Sequence, residues 1–383
     1  MSVQVQSITT LAALEDLRAS WNVLDGGVPF RSFDWLATWW KHYGAGDGST
    51  KQQLYVLVVQ HHQQPLAIAP WYVEQSRTRG RVVRWLGSGE VCSDHLSVLC
   101  RERDQVAVVE ALSQHLRASD EWNRLELESI DDSDVTMNML ADRLAAVGCT
   151  TTCRAEGNCW SIDLPDSWEG FLAMLSKSHR KQLRKLDHRV LQSDRAHWQQ
   201  VQTPQQLRDT WPVFVDLHQR RRESLGEPGS FASERFAAFH HDFAEQLLRA
   251  GRLRLGLLRL DGEPISAEYQ FAGNASVYAY QGGFAPEQQD EQPGRLSLMA
   301  SIQAAIRSGA VHFDLLRGNE PYKAHWRATA RPTYHLRVLA PSHATNWLAQ
   351  TADFAESLAS SLKARLRPLV NGPADGLSTS HGS

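Results

Sequence analysis

The chain has 383 residues, enough for two domains or one large one. It is 42% hydrophobic and 22% charged, which excludes a wholly disordered protein. The 40 Lys and Arg residues are balanced by 43 Asp and Glu residues. The resulting net charge of −3 argues against a global electrostatic grip on nucleic acid or on an anionic membrane.

The remaining composition points to a reduced, cytoplasmic protein. No apolar run approaches the roughly 20 residues that a membrane span requires, and the N-terminus lacks the pattern of a signal peptide. The five cysteines form no CxxC pair. A zinc site built from Cys149, Cys153 and Cys159 would lack the paired spacing of structural zinc sites, so no metal is expected.

The first half of the chain alternates strand and helix patterns. Helices are predicted at 11–24, 33–43, 104–116 and 133–147, and strands at 3–8, 54–60, 66–74, 81–86, 124–130 and 159–164. Six tryptophans within the first 85 residues fit either a Trp-rich core or a cleft for a flat ligand such as a sugar ring. We predict an α/β domain over 1–165.

A basic segment follows at 176–190 and reads SKSHRKQLRKLDHRV. It lacks Gly and Pro, so one long helix is predicted within a connecting segment over 166–195. The helix is either a solvated connector or a surface that faces phosphate groups.

The second half repeats the α/β pattern, and we predict a domain over 196–342. Helices are predicted at 204–224, 233–250 and 295–308, and strands at 252–260, 264–272, 276–281, 311–315 and 334–339. Pro212 is expected to kink or break the first of these helices. A C-terminal helix over 343–370, expected to pack on the first half, and a disordered tail over 371–383 complete the chain. Each half is expected to have its own mixed sheet.

The Pro-Gly pair at 293–294 stands immediately before a predicted helix. A helix N-terminus offers unpaired backbone N–H groups and the positive end of a dipole. The pair is therefore either a pyrophosphate-binding turn or an ordinary turn.

Four stretches of the second half carry a family resemblance: GRLRLGLLRLDGEPISAEYQF, SVYAYQGGF, QPGRLSLMASIQAAI and FDLLRGNEPYKAHW. They resemble the acetyltransferase domain of the GNAT superfamily, and in particular the CelD-like acetyltransferases of the cellulose-biosynthesis type. PFRSFDWLATWW and SKSHRKQLRKL extend the resemblance over roughly residues 20–340. The related Fem aminoacyl transferases have two GNAT-like domains in tandem, so the resemblance implies an α/β fold of tandem GNAT-like domains with mixed sheets.

The resemblance implies an acyl-CoA donor whose pantetheine arm lies between two splayed strands. Its pyrophosphate would be held by the backbone N–H groups of Gly294, Arg295, Leu296 and Ser297. Glu291 stands where the superfamily loop has Arg or Gln, and Leu296 replaces its second Gly.

The same resemblance implies catalytic roles at the end of the FDLL strand. Asp314 would be the base or would orient the acceptor, Tyr322 would protonate the leaving thiolate, and Lys323 would stabilise an anion. The alternatives are that Asp314 pairs with Arg317, that Tyr322 is a core residue and that Lys323 makes a surface ion pair. Glu268 is a weaker candidate base.

The predicted function is transfer of an acyl group, with acetyl favoured, from acyl-CoA to an amine or hydroxyl of a saccharide-related acceptor. Arg317, Glu268 and Arg180 are predicted to bind that acceptor. Two alternatives remain open. One is Fem-like aminoacyl transfer from charged tRNA, the only case in which nucleic acid is expected as a partner. The other is a non-catalytic GNAT-like module in exopolysaccharide assembly.

Overall fold

The computed structural model describes residues 3–46 and 50–341, so the predicted C-terminal helix over 343–370 and the tail lie outside the described residues. The helices are α1 Leu11–Glu15, α2 Arg18–Leu24, α3 Phe33–Tyr43, α4 Gln105–Ala118, α5 Val135–Ala146, α6 Trp168–Met174, α7 Lys177–Leu186, α8 Pro204–Glu223, α9 Glu234–Arg249, α10 Pro293–Arg307 and α11 Tyr322–His325. The strands are β1 Gln4–Ile8, β2 Lys51–Leu54, β3 Val56–His61, β4 Gln64–Ala69, β5 Trp71–Ser76, β6 Gly80–Trp85, β7 Leu99–Cys100, β8 Arg124–Asp131, β9 Thr150–Asp163, β10 Ala196–Gln200, β11 Leu253–Leu260, β12 Glu263–Ala272, β13 Ser276–Phe284, β14 His312–Arg317 and β15 Thr329–Leu339.

The predicted α/β class with mixed sheets is confirmed, but the expectation of a separate sheet in each half is wrong. Eleven strands form one continuous sheet in the order β10-β11-β12-β13-β14-β9-β15-β8-β6-β5-β2, and β1-β3-β4-β7 form a second sheet. The sheet is continuous because each half contributes a long strand that pairs with a strand of the other half. β9 leaves the first half to pair with β14, whereas β15 leaves the second half to pair with β8 and β9. The limits 1–165 and 196–342 stay a prediction.

Helix α8 runs through Pro212 without interruption, so the predicted break there is wrong. A capping box formed by Thr203 and Gln206 starts the helix, with Pro204 in its first turn. Trp211 and Phe214 on either side of Pro212 are buried, and α8 packs on β12 and β13. This packing outweighs the backbone hydrogen bond that a proline removes.

The basic segment forms α7, capped by Ser176, and continues into a π-helical turn over Asp187–Leu191. Leu183 and Leu186 face the core, whereas Lys177, Lys181 and Lys185 are exposed. Because these lysines are spaced four residues apart, they lie on one side of the helix.

Most tryptophans of the first half lie in the hydrophobic core. Trp21, Trp35, Trp71 and Trp85 are fully buried. The Trp35 ring packs edge-on against Phe239 and joins α3 to α9 of the second half. One hydrophobic cluster thus extends across both halves, and a second surrounds α10.

Candidate functional site

A cavity opens where two parallel strands of the second half separate. β13 and β14 pair only from Ser276 opposite His312 to Tyr278 opposite Asp314, and then diverge. The cavity beside them measures about 1310 Å³ and is lined by β13, β14, the starts of α7, α10 and α11, and the end of α8. The structure therefore contains the splayed pair that the resemblance implies.

Local backbone irregularities accompany this divergence. On β13, the register with β12 shifts so that Tyr280 is the extra residue of a bulge. On β14, Leu316 has a positive φ of 55°, and its N–H donates to Asp314 Oδ1 at 2.8 Å. Both features lie just beyond the last paired residues, where the strands turn apart.

Glu268 on β12 is one of the carboxyl groups that line this cavity. Its Oε1 accepts a 2.6 Å hydrogen bond from Ser297 Oγ on α10. Burial raises the pKa of Glu268 to about 7, although the bond from Ser297 lowers it in part. A carboxyl group with this pKa exchanges protons readily near neutral pH.

Two consecutive glycines of β13 create the room for this arrangement. A Cβ at Gly282 would lie 2.7 Å from Glu268 Oε2, and a Cβ at Gly283 would lie 2.3 Å from the backbone nitrogen of His218 on α8. Gly282 thus leaves space for the carboxyl group, and Gly283 lets α8 approach the sheet. Successive strand residues face opposite sides, so the two glycines serve opposite faces.

Tyr322 and Lys323 both line the cavity but differ in environment. Tyr322 is 46% exposed, and burial followed by the charges of Glu320 and Glu268 raises the pKa of its phenol. Lys323 is 2% exposed, and its Nζ donates to the carbonyls of Leu316 at 3.2 Å and Arg317 at 2.7 Å. Its ammonium group therefore holds the end of β14 in place.

Asp314 lies outside the cavity lining among the described residues and is 4% exposed. Its Oδ2 is 3.3 Å from His95 Nε2, and His95 Nδ1 is 2.9 Å from Asp131. Burial lowers the pKa of His95, but Asp131 and Asp314 outweigh it and raise this pKa to about 10. The partner of Asp314 is thus His95, whereas the alternative considered from the sequence was Arg317.

Arg317 lines the cavity and is anchored to a segment of the first half. Its Nε donates to Asp94 Oδ1 at 2.6 Å, and its other contacts are Ser93 O at 2.6 Å and Ser129 Oγ at 2.7 Å. Arg180 is partly exposed on α7 and does not line the cavity. The structure brings Glu268, Arg317 and Tyr322 to one cavity and leaves Arg180 outside it.

Of the four residues predicted to hold a pyrophosphate, Gly294 and Arg295 line the cavity, whereas Leu296 and Ser297 are fully buried. The N–H groups of Arg295 and Leu296 both donate to Gln292 O at 3.0 Å. Pro293 has no N–H group. Among the described residues, Gly294 is therefore the first-turn residue whose N–H has no protein acceptor. Fewer backbone N–H groups are free to bind a pyrophosphate than the four that were predicted.

Glu291, the acidic replacement in this loop, has a structural explanation. Its carboxylate lies 3.3 Å from Arg195 and 3.6 Å from Arg189. The residue therefore ties the loop to the end of the basic segment instead of facing a ligand.

Asp94 and His95 were not predicted as site residues, because they lie in a loop without helical or strand periodicity. Arg221, which lines the cavity from the end of α8, was not predicted either. Within 3–46 and 50–341, no group of three or more His, Cys, Asp or Glu residues is arranged to hold a metal ion. None of the helices in those ranges is long and apolar enough to cross a membrane.

Comparisons with known proteins match the geometry of the second half and the fold of the whole chain. Residues 177–324 match the family described as acetyltransferase (GNAT) domain. The crystal structure of FemX is similar with a TM-score of 0.61 and 10% identity, over 87% of this chain and 96% of FemX. A search of curated protein sequences finds no match.

Two further solved structures are similar over most of their length. A conserved protein of unknown function from Bacteroides thetaiotaomicron has a TM-score of 0.51 and 12% identity, over 88% of this chain and 100% of that one. The C-terminal domain of a putative lysylphosphatidylglycerol synthetase from Agrobacterium fabrum has a TM-score of 0.50 and 13% identity, over 91% and 98%. The protein therefore has a mixed α/β fold with a GNAT-like acyltransferase fold over the matched residues, and its overall fold is similar to that of FemX.

Proposed function

We propose that this protein is an acyltransferase of the CelD-like type that moves an acyl group, such as acetyl, from acyl-CoA to an amine or hydroxyl of a saccharide-related acceptor. The observation that carries the proposal is the position of Glu268 in the cavity beside the splayed strands, where burial raises the pKa of its carboxyl group to about 7. It supports acid–base chemistry at the place where the fold family carries out acyl transfer.

We assign the base to Glu268 instead of Asp314, because Asp314 is held by His95 outside the cavity lining. Glu268 accepts a proton from the attacking amine as its nitrogen bonds to the thioester carbonyl carbon. The carbon–sulfur bond then breaks, and Tyr322 donates its phenolic proton to the thiolate. Solvent returns a proton to Tyr322 and removes one from Glu268, so amide and free thiol are the net products.

Lys323 and Arg317 receive positioning roles under this proposal. The Lys323 ammonium group donates hydrogen bonds to three backbone carbonyls and forms an ion pair with Glu320 at 3.0 Å. This supports a role in shaping the end of β14 rather than the predicted anion stabilisation. Arg317 likewise fixes the strand end against Asp94.

The chain's residues fit an acyl-CoA donor in part. The separation of β13 and β14 leaves room for a pantetheine arm, and Gly294 presents a backbone N–H at the start of α10. A thioester donor supplies the activated acyl group. Arg295, whose guanidinium donates to Gln292 Oε1 at 2.7 Å, also borders this part of the cavity.

The test is thiol release from a panel of acyl-CoA species with amino-sugar and sugar-nucleotide acceptors. Glu268→Gln should lower turnover by about 10²–10⁴-fold, because it removes the base. Wild-type turnover should rise with pH through about 7 as Glu268 loses its proton. The control is Glu263→Gln, an exposed carboxyl group on the same strand. Full turnover in Glu268→Gln would refute the assignment of the base.

The raised pKa of Glu268 also predicts how the free energy of unfolding changes with pH. Its folded pKa of about 7 lies above the ordinary 4.5, so the folded state disfavours the carboxylate. The free energy of unfolding should therefore fall as pH rises from about 4.5 to 7, by at most ~3 kcal/mol. Urea titrations of Glu268→Gln should lack this decrease.

A second candidate function, aminoacyl transfer from charged tRNA, is favoured by two observations. Lys177, Lys181 and Lys185 form an exposed stripe on α7, and none of them pairs with a carboxylate in the described parts of the chain. The start of α10 also offers fewer N–H groups than a pyrophosphate site needs. Salt-sensitive binding of charged tRNA, with no thiol release from any acyl-CoA, would favour this candidate.

A further inference from the structure

Arg221 differs from the other cationic residues of the cavity in having no anionic or carbonyl partner. Arg317 pairs with Asp94 at 2.6 Å, and Lys323 with Glu320 at 3.0 Å. The others are likewise engaged: Arg222 with Glu227, Arg295 with Gln292 and Arg327 with Met174 O. Within the described chain, the guanidinium of Arg221 makes no hydrogen bond or ion pair, although it lines the cavity.

The position of this guanidinium is nevertheless fixed by an aromatic ring. Arg221 Cζ lies 4.5 Å from the centroid of the Phe284 ring at the end of β13. Stacking on a ring face orients the planar guanidinium and leaves its N–H edge available for hydrogen bonds. The side chain is thus held in place with its donors unused.

The local charge balance favours an anionic ligand at this position. Burial and then the charge of Arg222 lower the pKa of Arg221, and Glu227 raises it by less. Glu227 is itself committed to Arg222 at 2.8 Å. An anion that enters the cavity would supply the counter-charge that the protein does not provide.

The same aromatic ring borders the start of α10. A Cβ at Gly294 would lie 3.3 Å from Phe284 Cδ1, so Arg221 and Gly294 flank one ring. We propose that Arg221 binds a phosphate group of the ligand in this cavity, in the bidentate manner typical of arginine. Under the proposed function this is the pyrophosphate of the acyl-CoA donor. A phosphate of a sugar-nucleotide acceptor is the other source with the same chemistry.

The experiment measures binding by calorimetry with three probes: coenzyme A, pantetheine, which lacks phosphate, and inorganic pyrophosphate. Arg221→Gln should weaken binding of coenzyme A and pyrophosphate by about 10- to 100-fold, as expected for loss of charge-assisted hydrogen bonds. Pantetheine binding should not change. Arg208→Gln, an exposed arginine on the same helix, is the matched control. Arg221→Lys should recover only part of the affinity, because it keeps the charge but not the planar fork.

The outcomes distinguish a failure of this inference from a failure of the proposed acyl-CoA donor, on which the source of the phosphate group rests. If Arg221→Gln weakens pyrophosphate but not coenzyme A, Arg221 binds phosphate and the acceptor supplies it. If the wild-type protein binds pyrophosphate through Arg221 but neither coenzyme A nor pantetheine, the proposed donor is wrong and the inference stands. Unchanged affinity of a folded Arg221→Gln variant for both phosphate probes overturns the inference, as does a wild-type protein that binds neither.

Discussion

The two halves of the molecule contain the same strand geometry but use it differently. In the second half, β13 and β14 diverge after three paired positions and border the cavity. In the first half, β6 and β8 are also parallel and pair only at Val82 opposite Arg124 and Val83 opposite Leu125. A helix lies between the two strands in chain order in each case.

The difference lies in the segment after the first strand of each pair. In the first half, residues 86–98 come directly after β6, and the N–H of Leu96 donates to Ser129 O on β8 at 3.2 Å. Val91, Leu96 and Val98 of this segment are buried. The chain itself therefore occupies the side of β8 that corresponds to the open side of β14.

The same segment also completes the site of the other half. Asp94 binds Arg317, His95 contacts Asp314, and Val91 O accepts a 2.7 Å hydrogen bond from Tyr280. One half thus lacks an open splayed pair and supplies buried polar groups to the other. In this chain, splayed strands therefore border an open cavity only where the chain leaves the gap between them unfilled.

The strongest test of this difference between the two halves is the substitution His95→Gln. The substitution removes the positive charge between Asp131 and Asp314, and breaking a buried ion pair typically costs about 3–5 kcal/mol. Urea denaturation should show a loss of that size, whereas His197→Gln, an exposed histidine on β10, should change little.

The His95 prediction also has a pH dependence. Since the folded pKa of about 10 lies above the ordinary 6.5, protonated His95 stabilises the fold fully below about pH 6.5, and this contribution disappears as pH rises through 10. His95→Gln should flatten that decrease. If wild type and variant lose stability in parallel over this range, the link between the halves is not carried by His95.

A smaller loss is expected when the filled gap of the first half is opened. Leu96→Ala removes a side chain that is 2% exposed, and such truncations cost about 2–4 kcal/mol. Val106→Ala, at a side chain that is 72% exposed, is the control. Coenzyme A titrations of both variants should still give one site per chain. A second site in wild type would contradict the assignment of a single open pair.

Local signals in the sequence predicted most elements but not their partners. Thr10 and Ser32 cap α1 and α3, and Asp261-Gly262 forms the turn between β11 and β12, so these positions follow from local residue preferences alone. The pairing of β9 with β14 and of β15 with β8 joins residues more than 140 positions apart, and strand periodicity does not encode the partner. This is why one sheet was not foreseen.

The candidate site was likewise predictable from the sequence only in part. The resemblance pointed to a strand end and a helix start that border the cavity, and Tyr322 and Gly294 are among its lining residues. It did not identify the partner of Asp314, because His95 lies more than 200 residues earlier in the chain. The sequence alone indicates Glu268 only as a weaker candidate base, because its burial and its bond to Ser297 depend on the packing of β12 against α10.

The smallest effect is expected at Gly282, where the position of the Glu268 carboxyl group depends on the absence of a side chain. Gly282→Ala would place a Cβ 2.7 Å from Glu268 Oε2, closer than atoms of this kind approach, so the carboxyl group must move. A displaced base should lower turnover by about tenfold, roughly 1.4 kcal/mol in activation free energy, and move the pH midpoint away from about 7. Gly157→Ala on β9 is the matched control, because a Cβ there would meet no atom within 4 Å. A Gly282→Ala variant with wild-type turnover and an unchanged pH profile would mean that the position of Glu268 does not limit the reaction, and the open pair would then serve binding alone.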